Sequence, residues 1–202
     1  MTAVEALARD MLAARAEPGA LLARDAPRIA LACRAIAERF RRGGVLFAFG
    51  TGLAAADAAH VAVEFTHPVI VGKRALPAVA LGAGAPCDGQ GDGPHDALAA
   101  RLRPFAGPDD IALGLAADGE DPAVLRCLAT AREAGALTVA LVGGDGSCAG
   151  EAADHVLAVD CADPLVVREI QVTAYHVLWE LVHVFLAEGS LADALPEGRE
   201  VP

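Results

Sequence analysis

Five short apolar runs, each followed by a turn and then a helical pattern, constrain this chain more than any other feature. They read VLFAF (45–49), LPAVAL (76–81), IALGLA (111–116), LTVALV (137–142) and HVLAV (155–159). Their apolar residues are nearly continuous rather than alternating, as in strands covered on both faces. Parallel neighbours need a long crossover between them, and the intervening segments supply helices for it. The expected fold is therefore α/β, a five-stranded parallel sheet flanked by helices in a three-layer, flavodoxin-like sandwich.

The other segments fit around that frame. Residues 3–15 read as an amphipathic helix ended near Pro18-Gly19. A second helix is expected over 27–42, where Ile29, Cys33, Ile36 and Phe40 recur at helical spacing and Gly43-Gly44 stops it. GTGLAA (50–55) turns directly into a helix, a Gly/Asp-rich loop spans 82–94, and a helix is expected over 95–103. Asp121-Pro122 is an N-cap and first helical position for a helix over 122–134. A short helix separates the last two strands, and a long one closes the fold over 164–187. The expected division is 1–42, leading helices for oligomer packing; 43–189, the α/β domain; and 190–202, a polar tail.

Composition removes several classes of function. Net charge is −11 with a single lysine, Lys73, so a phosphate backbone is repelled. Aromatics are 4%, too few for a base-stacking platform, and no nucleic-acid partner is expected. The five cysteines (33, 87, 127, 148, 161) form no C-x-x-C pair and read as reduced thiols of a cytoplasmic protein. The first residues mix acids and arginines into their apolar pattern, so neither a signal peptide nor a membrane anchor is expected.

Ligands of such sheets sit at the carboxyl ends of the strands. Two loops fall there, and both raise a question. GTGLAA fits the dinucleotide fingerprint G-x-G-x-x-G/A, but no acid follows at the end of the second strand to hold a ribose. A tight turn and close helix packing account for its small residues. The loop after IALGLA leads into a helix N-terminus, a natural anion cradle, yet it carries Asp118, Glu120 and Asp121. On the helix after the glycine turn, His60 and Glu64 share a face at a spacing of four. Such a pair serves one metal, or sets a base beside its orienting partner; it is also a common surface hydrogen bond. His176 and Glu180 repeat the spacing on the last helix, with His183 one further turn along.

GGVLFAFGTGLAAADAAHVAVEF, DDIALGLAADGEDPAVLRCLATAREAGALTVALVG and AYHVLWELVH together resemble the sugar isomerase (SIS) domain family, and within it the phosphoheptose isomerases. The resemblance covers nearly the whole chain, including the A-D-A-x-H-x-x-x-E pattern. It implies a homotetramer with active sites between subunits, interconverting sedoheptulose 7-phosphate and a heptose phosphate. It implies that Glu64 and His176 carry proton transfer, and that His60, Glu64 and His176 bind a metal, zinc being the ion the family suggests. The ligand-binding positions carried over are Gly50, Thr51, Gly52 and Ala54 in the first loop, Ala116, Ala117, Asp118, Glu120 and Asp121 in the second, and Arg168.

The departures gather at the ligand end. Thr51 and Ala54 stand where the family has Asn and Ser, and Pro68 stands for an arginine. A row of hydroxyl donors, S-T-S-G-N-S, is replaced by residues 116–121, AADGED. The family's fourth metal position, a Gln eight residues before His176, is Arg168, whose guanidinium cannot ligate a metal. Arg168 is expected to pair with Glu64, which argues against zinc, so no cofactor is expected from the residues themselves. The partner expected is a small sugar-type ligand, with no membrane involved. Two readings stay open: an isomerase of altered substrate or activity, and a non-catalytic tetrameric SIS module that binds or regulates.

Overall fold

A computed structural model describes residues 2–70, 72–82 and 95–194. The strands are β1 (Leu46–Gly50), β2 (Ala78–Leu81), β3 (Ile111–Ala116), β4 (Leu137–Gly143) and β5 (His155–Val159). All pair in parallel, in the order β2-β1-β3-β4-β5. The register sets Leu46 beside Ile111, Ile111 beside Leu137 and Val139 beside His155. The expected five-stranded α/β sheet is thus observed, with β1 and β3 at the point where the winding reverses.

Successive residues of one strand point to opposite faces, and both faces are apolar. Leu46, Leu113, Leu115, Val139 and Leu141 face one cluster with α3 (Ala26–Arg41), α4 (Ala54–Thr66) and α7 (Pro164–Ala194). Phe47, Phe49, Ala112, Ala140 and Val142 face the other, with α5 (Ala97–Leu102) and α6 (Pro122–Glu133). That double burial is why the strands read as runs and not as alternations. The helix α7 is long and apolar enough by length and composition to cross a membrane. Here Val166, Val167, Ile170, Ala174, Leu178 and Val182 commit its apolar side to the first cluster.

The leading segment differs from expectation. It forms two helices, α1 (Ala3–Ala13) and α2 (Ala16–Arg24), with Pro18 inside the second. Proline is accepted there because the first turn of a helix has no partner for its N–H groups. Thr2 and Glu5 close a capping box on α1. The last helix runs on to Ala194 rather than stopping at 187, since an isolated glycine costs a helix only about 1 kcal/mol. Between β4 and β5 there is one 3-10 turn, Cys148–Glu151. Cys87, most of the loop expected over 82–94, and residues 195–202 of the tail lie outside the described residues.

Candidate functional site

Two glycines bring the first loop against α4. A Cβ on Gly50 would meet that of Ala54 at 2.8 Å, and Gly52 holds φ at +52°. The turn therefore needs small residues for packing alone. From Ala54, six residues of α4 lead to His60 over about 9 Å, and Glu64 follows one turn later.

His60, Glu64 and His176 come together from α4 and α7. The Glu64 Oε1 lies 3.1 Å from His60 Nε2 and 3.9 Å from His176 Nε2. The two imidazole rings meet edge-on, with centroids 5.2 Å apart. One ligand atom from each residue falls within 4.8 Å of the others. Two imidazoles and one carboxylate are a donor set suited to zinc, and the three could hold one ion after small side-chain adjustments. Both imidazoles keep an accessible edge, each side chain being 43% exposed.

Arg168 does not pair with Glu64. Its guanidinium makes two bonds to Asp57, Nε to Oδ2 at 2.8 Å and Nη2 to Oδ1 at 3.0 Å, and reaches the Leu53 carbonyl at 3.4 Å. Asp57 precedes His60 by less than one turn and is 8% exposed, so a fork donor meets a nearly buried carboxylate. The pair raises the arginine's pKa through that hydrogen bonding. The ion pair with Glu64 expected from sequence position does not form. The nearer carboxylate takes the guanidinium, and Glu64 is left to the two histidines.

At the second loop, the acids use the backbone donors themselves. Asp121 caps α6, its Oδ1 accepting from the N–H groups of Ala123 at 2.9 Å and Val124 at 3.2 Å. Its other oxygen accepts from the Thr51 hydroxyl, which ties the two loops together. Asp118 Oδ1 accepts from Glu120 N–H at 3.1 Å. Gly119 lies at φ +76°, and a Cβ there would strike the Gly143 carbonyl; one on Gly143 would strike that of Ala117. The loop is thus fitted closely to the end of β4. Ala116 and Ala117 offer no side-chain donor, and the Ala116 carbonyl accepts from Gln171 Nε2 at 2.9 Å.

Sequence reasoning missed three residues of this neighbourhood. Asp57 shares the helical face of His60, a signal available in the spacing. Gln171 is fully buried on α7 and also donates to the Leu141 carbonyl, so it ties β3 to β4. Tyr175 left no signal, because adjacent helix residues point about 100° apart and His176 gives no reason to include it. Its hydroxyl lies 2.7 Å from His60 Nδ1. Burial first, then Asp57 and Glu64, push its pKa up to about 12.

Comparison with known proteins bears on this geometry. The profile of the SIS domain matches residues 13–143. Phosphoheptose isomerase of Chlorobaculum parvum is 40% identical over 167 residues, 79% of each chain. Among solved structures, a phosphoheptose isomerase from Francisella tularensis superimposes with a TM-score of 0.79 at 22% identity, over 91% of this chain and 100% of that one. The phosphoheptose isomerase of Neisseria gonorrhoeae gives 0.78 at 21% identity, over 89% and 98%.

Proposed function

Because the chain belongs to the SIS domain family and is of the phosphoheptose isomerase type, we propose that it is an aldose–ketose isomerase for a sugar carrying no phosphate at the β3–α6 loop. The observation that carries this reading is Glu64 Oε1, set between two imidazoles and free of Arg168. A carboxylate so placed can take the proton from the sugar carbon beside the carbonyl and return it to the neighbouring carbon, through an enediol. His176, on the other side of that carboxylate, gives a proton to the carbonyl oxygen and removes one from the adjacent hydroxyl. His60, Glu64 and His176 are the residues that would hold zinc, and the ion would polarise the sugar carbonyl there. His60 orients the carboxylate through its Nε2, 3.1 Å from Oε1.

The loop chemistry supports the restriction on substrate. Asp121 and Asp118 occupy N–H groups that a phosphate would need. A dianion there would also face like charges, at about 4 kcal/mol for each contact at 4 Å in a partly screened site. Thr51 and Asp121 would instead offer the ligand a wall of hydrogen-bond acceptors.

The same capped loop favours a second reading, a tetrameric binding or regulatory module. One experiment separates the two. Aldoses and ketoses, free and phosphorylated, are incubated with the protein and interconversion is followed by NMR. Turnover that is lost in Glu64→Gln supports the isomerase, and saturable binding without turnover supports the module.

Assembly and location belong to this proposal as well. No residue of α1 is buried, and Val4, Leu7 and Met11 line one exposed side of it. That stripe supports a homotetramer, or at the least a dimer. The buried free thiols of Cys33 and Cys127 support a reducing, cytoplasmic setting.

A further inference from the structure

Tyr175 is among the largest fully buried side chains, with 1% of its surface exposed, yet its one polar atom touches a solvent-accessible member of the site. The ring also stands edge-on to both imidazoles, with centroids 5.4 Å from His60 and 4.9 Å from His176. His60 is thereby held at both nitrogens, by the phenol at Nδ1 and by Glu64 at Nε2. A flip of the imidazole would exchange nitrogens for carbons and break both bonds.

The proton count follows from these partners. A carboxylate only accepts, so His60 donates Nε2–H to Glu64, and Nδ1 accepts the phenol proton. If Nε2 is to offer its lone pair instead, the ring proton must move to Nδ1, and the phenol must accept there. Of the groups a chain can bury against His60, a hydroxyl serves both states, because it both donates and accepts. Phenylalanine does neither.

We propose that Tyr175 is a positioning residue that acts through His60: its hydroxyl fixes the ring orientation and supports either tautomer, so that Nε2 always faces Glu64 and His176. The proposal rests on the reading of His60, Glu64 and His176 as one site.

The test is Tyr175→Phe, which keeps the ring and its packing and removes only the oxygen. In the metal-free protein, 15N NMR of the imidazoles is expected to show His60 as a single tautomer protonated at Nε2. In Tyr175→Phe, its Nδ1 and Nε2 signals should shift toward exchange-averaged values, while His183, held by the Trp179 and Arg74 carbonyls, stays unchanged. Zinc alone, titrated against a chelating dye, should bind about ten- to a hundredfold more weakly to the variant, the usual effect of losing a partner behind a ligating histidine. Wild-type His60 signals in Tyr175→Phe overturn the proposal, as does an unchanged zinc affinity. If the unsubstituted protein binds no zinc, the metal reading of the site fails, and the His60 tautomer alone decides the role of Tyr175.

Discussion

Replacing Asp57 by Asn removes the charge that holds Arg168 and keeps the shape of the side chain. Asn offers one carbonyl oxygen, so one of the two bonds at 2.8 and 3.0 Å is lost outright and the other loses its charge assistance. Breaking a buried ion pair from one side costs about 3–5 kcal/mol, whereas an exposed pair contributes about 0–1. The side chains are 11% exposed for Asp57 and 23% for Arg168, nearer the buried limit, and the guanidinium can regain some water. We expect a loss of about 2 kcal/mol, which for a chain of this length lowers the melting temperature by about 4–8 °C. Arg168→Gln alone should cost at least as much, because it leaves a carboxylate buried without its cation. The double variant carries two neutral amides and should recover most of the loss, to within about 1 kcal/mol of the starting protein, so a double-mutant cycle in urea should return a coupling of about 3 kcal/mol. Single variants within about 0.5 kcal/mol of the starting protein, or losses that simply add, would refute the idea that this pair fastens α4 to α7.

Calorimetry with sedoheptulose 7-phosphate at neutral pH should show no micromolar binding, and micromolar affinity would contradict the reading of the acidic loop. Replacing Asp118, Glu120 and Asp121 together by Ser should then improve binding of inorganic phosphate. Asp121→Ala alone should destabilise the protein by about 1 kcal/mol, because α6 loses its cap; an unchanged urea midpoint would count against the cap. Light scattering at micromolar protein should show a tetramer or dimer, and a monomer would sink the role given to α1. Burial pushes the thiols of Cys33, to about 12, and Cys127 upward. The folded chain thus keeps protons that the unfolded chain loses above about pH 8.5. Stability should be full below that pH and fall from 9 toward 12, by about 1.4 kcal/mol per pH unit for each thiol. Urea midpoints that stay flat from pH 8 to 10.5 would contradict this.

The sheet was legible because its strands are buried on both sides, so each run announces itself without help from distant residues. IALGLA and HVLAV mark β3 and β5 to the residue. The break between α1 and α2 was not legible, since Pro18-Gly19 reads as a stop when nothing shows which turn of a helix the proline occupies. In the site, the spacing of His60 and Glu64 carried its own signal, and the resemblance brought in His176. The partner of Arg168 could not be read in the same way. Asp57 and Glu64 lie on one helix, two turns apart, and only the packing of α7 against α4 decides which carboxylate the guanidinium reaches. Tyr175 was hidden for a related reason, because burial usually marks a tyrosine as core and its hydroxyl was assigned no task.

The central claim is that Glu64 moves a proton between adjacent carbons of a sugar, and solvent exchange tests it most directly. A sugar that the protein interconverts is incubated in D2O and examined by NMR at the carbons beside the carbonyl. The account predicts deuterium at that position in the isomerised product, and at least a thousandfold slower incorporation with Glu64→Gln, since the amide cannot accept the proton. Interconversion or exchange that survives in Glu64→Gln would contradict it.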